Sequence, residues 1–245
     1  MVKRTWAEPL MGILLLLVVF FVSREAGIMT SQATAGAHGE RERAVVAIDV
    51  GHGGNDPGKV GVDKSLEKDI NLQIAKKLKK YLENSDIEVV LTREDDRGLY
   101  SEKDSRKKMA DMKKRVEVIE KAKPDLVVSI HQNSYHQENV SGGQVFYYGR
   151  SEKGKKLAEI IQKRFDYVLG EKNTRFAKAN DSYYLLLHVK EPIVIVECGF
   201  LSNWEESAKL NSEEYQDRLA WTIHMGIMEF LNDKTAPPKA ENGNK

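Results

Sequence analysis

Four residues of the types that do metal and proton chemistry stand where a sheet would gather them: His52, Glu67, His131 and Glu197. Three of them close apolar runs. Residues 44–50 lead to His52, residues 126–130 to His131, and residues 193–196 to Glu197. Glu67 opens a stretch in which Leu66, Ile70, Ile74, Leu78 and Leu82 recur with helical period. Two imidazoles and one carboxylate are a known catalytic zinc set with a fourth position left for water. Zinc lowers the pKa of that water to about 7 and polarises a bound carbonyl. A second carboxylate then takes the water's proton and passes it to the departing group. Glu67 could be the third ligand and Glu197 that base.

Each residue also has a plainer reading. His52 beside three glycines could be a loop residue, His131 a hydrogen-bonded core histidine, and Glu67 an acid placed to favour a helix N-terminus. Glu197 resists the plain reading. It closes the run Pro-Ile-Val-Ile-Val, and a carboxylate buried there without a partner is costly. Its neighbour Cys198 must face the opposite way on a strand, so it reads as a small apolar residue packed against a helix. His136 is a weaker pocket candidate in a polar loop, His188 and His224 read as structural, and His38 falls in a linker.

Stepping outward, residues 44–231 alternate short apolar runs with amphipathic stretches, which is the pattern of an α/β domain. Strands are expected at 44–50, 87–92, 126–130, 143–148, 174–178 and 193–198. Helices are expected at 65–83 with Ser65 as N-cap, 101–122, 152–168 and 212–231. Strands separated by helices predict a mostly parallel sheet with right-handed crossovers. The pocket of such a sheet lies outside the carboxyl ends of its strands, and its helices begin at that same edge. Topology alone therefore brings all four residues to one rim.

The bulk properties narrow the function. The chain has 245 residues, enough for one domain with a sizeable core. Its 38 Lys and Arg against 37 Asp and Glu give a net charge of +1, so no nucleic-acid partner is expected. The basic clusters at 76–80 and 106–115 read as solvated helix faces. One cysteine excludes an intrachain disulfide and a four-cysteine zinc site. Lys3 and Arg4 precede an apolar run over residues 10–22, the shape of a signal peptide or membrane anchor. Export is expected, with membrane attachment if residues 1–22 are not removed. Residues 23–43 read as a linker, residues 44–231 as the catalytic domain, and residues 232–245 as a disordered tail.

The motifs Ile48-Asp49-Val50-Gly51-His52-Gly53-Gly54, Glu67 opening a helix, Ser129-Ile130-His131-Gln132-Asn133 and Glu197-Cys198-Gly199-Phe200-Leu201-Ser202-Asn203 follow one another in order. Together they closely resemble the zinc-dependent N-acetylmuramoyl-L-alanine amidases of amidase family 3. The resemblance covers roughly residues 44–231. It implies a phosphorylase/hydrolase-like fold, zinc on His52, Glu67 and His131, Glu197 as catalytic acid/base, and peptidoglycan as substrate. Asn133, Tyr183 and Tyr184 are candidates to line the substrate pocket, although Tyr183 and Tyr184 read equally well as core aromatics. Val50 stands where the family usually has proline, and the family's Leu-x-x-Arg stretch is matched only loosely around Arg115. Some relatives plug the zinc site with an inserted helix. About ten residues separate Asn133 from Gly143, so no plug is expected here. The single domain behind one apolar segment looks most like the germination-specific amidases of spore formers, which act in making muramic lactam in spore cortex. The resemblance leaves room for an accessory activator protein. A metal-dependent sugar deacetylase and a non-catalytic wall-binding module are the alternatives. The first usually carries two histidines at helical spacing, and the second would have lost one of the four residues.

Overall fold

Val, Ile and Leu dominate the short apolar runs, and β-branched side chains suit a pleated, buried surface. The computed structural model describes residues 11–12, 15–25, 43–169 and 173–233. Six strands form one sheet: β1 Val45–Val50, β2 Glu88–Leu91, β3 Leu126–Asn133, β4 Gln144–Tyr147, β5 Lys178–Ala179 and β6 Ile193–Phe200. Their spatial order is β2-β1-β3-β6-β4-β5. All neighbours run parallel except β4 and β6, which are antiparallel. The mostly parallel α/β sheet read from the sequence is the observed architecture.

Alternation along the strands divides the core in two. Val46, Ile48, Val50, Val128, Ile130, Val194, Val196 and Cys198 point to one face. There they meet helices α1 (Glu67–Glu83), α3 (Glu152–Leu169) and α6 (Glu213–Asn232). Ile70, Ile74, Leu78 and Leu82 of α1 are all buried against this face, each contributing roughly 1.5–3 kcal/mol. Ala47, Val127, Ile193 and Ile195 point to the other face, under α2 (Lys107–Ala122) and the short α4 (Tyr184–His188). Two residues on from these apolar positions the same face becomes polar, with Asp49, Ser129, His131 and Glu197. The sheet thus carries its chemistry at the carboxyl ends of three adjacent strands.

Several local expectations are corrected. Ser65 is not the N-cap of α1. Its N–H and Oγ both donate to Asp63 Oδ1, at 3.0 and 2.6 Å, and Leu66 takes the cap position with no side-chain bond. The free amides of the first turn are capped by a remote loop instead, Glu67 N donating to Lys59 O and Lys68 N to Pro57 O. The expected helix 101–122 begins only at Lys107. Ser101 N donates to Asp104 Oδ2 at 2.7 Å, a local side-chain bond that competes with the helix. The strand expected over 174–178 reduces to Lys178–Ala179. Helices α4 and α5 (Trp204–Leu210) were not expected, being too short to show a period.

The N-terminal residues form a separate unit, Met1–Glu42. Its described residues 15–25 are helical, and no described helix is long and apolar enough to cross a membrane. Residues 26–42, with His38, and the tail from 234 onward lie outside the described residues.

Candidate active site

β1 delivers its last residues into a turn that three buried side chains hold. Asp49 Oδ1 accepts from Arg115 Nη1 at 2.8 Å and from Thr92 Oγ1 at 3.0 Å, while Oδ2 accepts from Ser129 Oγ at 2.5 Å. Arg115 also donates to Val50 O and His52 O, and Arg93 to Val50 O and Gly51 O. Two guanidinium groups therefore bind three successive carbonyls. They hold His52 in a left-handed conformation, φ +62°, which a non-glycine residue rarely adopts. Gly51 leaves space for the opposite ring, since a Cβ there would stand 2.5 Å from His131 Cε1.

Arg115 is fully buried, which corrects the reading of 106–115 as a solvated face. Its charge is balanced by Asp49 and by Asp111 one turn back, at 2.6 Å. Burial opposes ionisation of Asp49, but Arg115 and the Ser129 hydroxyl outweigh it and hold the carboxyl below the usual carboxylate range. We expect Arg115→Leu to lower the unfolding free energy at pH 7 by about 3–5 kcal/mol, because it strands a buried carboxylate. A depressed folded pKa gives stability that is present above the unfolded value and lost as pH falls through the folded one. The gap between wild type and variant should therefore narrow in acid. Urea unfolding at both pH values checks it, and a gap under about 1 kcal/mol at pH 7 contradicts it.

Glu67, 1% exposed at the start of α1, lies between the two imidazoles. Its Oε1 is 2.9 Å from His131 Nδ1, and its Oε2 is 3.2 Å from His52 Nε2. Gln132 N and Lys59 N donate to the same carboxylate at 3.0 and 2.7 Å. Burial works against its charge, yet the hydrogen bonds and charges of His131 and His52 win and hold it far below the usual carboxylate range. Asp56 Oδ2 engages His52 Nδ1 at 2.9 Å, leaving Nε2 directed at Glu67. One ligand atom from each of His52, Glu67 and His131 lies within 4.8 Å of the others, so the three could hold a metal ion.

Glu197 stands beside His131 in the β3–β6 register, so both side chains project from the same face. It is 7% exposed, and its Oε2 is buried without a hydrogen-bond partner. Burial raises its carboxyl above the usual range; the Glu67 charge adds to this, while His131 opposes it. Burial and the Glu197 charge push Tyr183 up to about 12. His131, Glu197 and Tyr183 line a cavity of about 370 Å³, together with His52, Tyr184, Leu185 and residues of α2.

Of the residues named from sequence, His52, Glu67, His131 and Glu197 converge, and Tyr183 and Tyr184 line the cavity. Asn133 does not line it; its Oδ1 accepts from Ser134 N, and its carbonyl from Leu201 N. His136 is exposed and away from the lining, His224 is buried against Ser85 Oγ, and Cys198 is buried on the opposite face. Residues 134–143 contain no helix, so nothing plugs the cavity from there. Sequence reasoning missed Asp56, Arg93, Lys107 and Lys108. Asp56 lies four residues from His52 in a glycine-rich turn, and that was its only signal.

The protein family described as N-acetylmuramoyl-L-alanine amidase matches residues 46–229. A germination-specific N-acetylmuramoyl-L-alanine amidase of Bacillus subtilis (strain 168) is 35% identical over 97% of this chain and 99% of its own length. Among solved structures, the CwlD amidase from Clostridioides difficile, in complex with the GerS lipoprotein, is 41% identical with a TM-score of 0.75. That likeness covers 77% of this chain and 98% of the other. The catalytic domain of CwlV, an N-acetylmuramoyl-L-alanine amidase from Bacillus (Paenibacillus) polymyxa, is 35% identical with a TM-score of 0.68, over 77% and 98%.

Proposed function

Given that the chain belongs to the N-acetylmuramoyl-L-alanine amidase family, we propose that it cuts its substrate at a zinc centre formed by His52, Glu67 and His131, with Glu197 as acid and base. Its reaction is hydrolysis of the amide between the lactyl group of N-acetylmuramic acid and the L-alanine of the peptide stem in peptidoglycan. The observation that carries the proposed chemistry is the unpartnered Glu197 Oε2, on a side chain that lines the same cavity as His52 and His131.

The donor set fits zinc. Two imidazole nitrogens and one carboxylate come together, a donor set that zinc accepts, and Glu197 Oε2 nearby is buried without a hydrogen-bond partner. When bound, zinc supplies the positive charge that polarises a carbonyl and acidifies water. The rest belongs to the chain. Asp56 fixes the tautomer and orientation of His52 by holding its Nδ1. Glu197, with its carboxyl raised by burial, takes a proton from the attacking water and returns it to the alanine nitrogen as the C–N bond breaks. Tyr183 and Tyr184 shape the cavity beside Glu197 and position the substrate.

The biological setting extends the same proposal. The apolar segment over residues 10–22 supports export, and the likeness to a germination-specific amidase supports a role in spore cortex maturation and germination. An accessory lipoprotein partner is included, because the amidase 41% identical to this chain was solved with one.

Gly58 tests the geometry of the centre. It has φ +69°, and a Cβ there would come within 2.5 Å of Glu67 Oε2 and 2.7 Å of His52 Cδ2. Gly58→Ala is expected to weaken zinc binding about tenfold to a hundredfold, as when a group that orients a ligand is disturbed. Competition with a chromogenic chelator measures this, and unchanged zinc affinity would contradict it. Product analysis on wall glycopeptide tests the reaction itself: new N-terminal alanine is expected, and free acetate without it would point to a deacetylase.

A further inference from the structure

The cavity does not end at the four residues. It runs outward to the first turns of α2, where Lys107, Lys108, Asp111, Met112 and Arg115 face it. That spacing is one face of a helix. Arg115 is engaged with both Asp111 and Asp49, which leaves the two lysines as the outer cations of the cavity. Lys108 Nζ lies 3.7 Å from the Asp56 Oδ2 that holds His52, so its ammonium is one contact removed from the hydrolytic cluster. Lys107 Nζ sits 5.3 Å from the centroid of the Tyr100 ring and pairs with Glu102, whose side chain is 83% exposed. A pair that exposed is weak and readily exchanged for another carboxylate. The first turn of α2 carries no acidic residue, and its N-cap makes no side-chain bond, so the positive end of the helix adds to the same field.

The substrate supplies the complement. Muramic acid has its carboxyl consumed in the scissile amide, so the sugar beside the cut bond bears no charge. The charge of this substrate class lies in the leaving peptide. An extended chain advances about 3.3–3.6 Å per residue, which sets a carboxylate on the second stem residue about 7 Å from the scissile nitrogen. An ammonium one contact from His52 is within reach of that position.

We propose that Lys107 and Lys108 receive the carboxylate of the second stem residue and make the enzyme selective for stems in which that group is an acid rather than an amide. The inference rests on the amidase reading above. The test uses the full chain with zinc and two muramyl peptides of equal length, with the main-chain carboxyl of the second residue free in one and amidated in the other. The ratio of their kcat/KM values is the readout, because a variant that folds poorly lowers both rates and leaves the ratio unchanged. Wild type should favour the acid about tenfold, the size that one charge-assisted hydrogen bond supplies. Lys107→Gln with Lys108→Gln should bring the ratio close to one, and Lys107→Arg with Lys108→Arg should keep it. Equal rates on the two peptides in wild type, or a ratio unmoved by the glutamine pair, overturn the selectivity. Failure of wild type to cut either peptide even alongside a lipoprotein partner overturns the amidase reading, and this inference falls with it.

Discussion

Glu197→Gln is expected to keep zinc at wild-type stoichiometry while losing about three orders of magnitude in kcat, within the range that general acid–base catalysis supplies. The substitution retains the shape of the side chain and removes its proton affinity. Glu197 is not in the compact group formed by His52, Glu67 and His131, so metal retention should not depend on it. Its place on β6 directly beside His131 sets it against the same cavity, and among the described residues that line the cavity its Oε2 is the buried side-chain oxygen without a hydrogen-bond partner. Burial holds the carboxyl above its usual range. Steady-state rates on muropeptide together with zinc analysis of the same preparation decide the matter. Turnover equal to wild type would remove the assigned role.

The second large effect concerns His131→Ala, for which zinc itself should be lost, and activity with it. His131 Nδ1 meets Glu67 Oε1 at 2.9 Å, and the alanine variant removes one of three donors while leaving Glu67 buried with a single imidazole beside it. Loss of a direct ligand should exceed the roughly hundredfold loss of affinity that follows removal of an orienting partner. Dialysis against buffered zinc, followed by elemental analysis, measures it. Stoichiometric zinc in the variant, at free concentrations that just saturate wild type, would show that the metal lies elsewhere. Comparison with Glu197→Gln separates the roles: one variant should be metal-bound and inert, the other metal-free.

The candidate site was legible in the sequence because three of its members lie near the carboxyl ends of buried strands, and those ends share an edge. His131 and Glu197 needed no more than that, since β3 and β6 are neighbours in register. The strands are longer than expected: β3 runs two residues past His131 and β6 three past Glu197. Glu67 was legible because it opens a helix, although its cap was not. Ser65 has the right side chain for an N-cap, yet Asp63 two residues away captures both its N–H and its hydroxyl. The actual cap comes from carbonyls of Pro57 and Lys59 in a separate loop. No local pattern announces such a contact.

Arg115 marks the limit of charge patterning. Lysines and acids surround it on a helix that reads as uniformly solvated, and its burial depends on partners distant in sequence, Asp49 and the carbonyls of Val50 and His52, together with Asp111 one turn back. The same face of α2 hides Lys107 and Lys108 from sequence reasoning, because helical period identifies a shared face and not what that face meets. β4 shows the corresponding limit for topology. Its short apolar run reads as any buried strand, and its antiparallel pairing with β6 is set by chain path.

The most direct test of the zinc-dependent amidase account is the release of N-terminal alanine from purified wall glycopeptide by the zinc-loaded full chain. Release should cease when a chelator strips the metal and return when zinc is restored. Release that continues after the metal is gone, or zinc bound stoichiometrically at His52, Glu67 and His131 with no release even alongside a lipoprotein partner, would contradict the account.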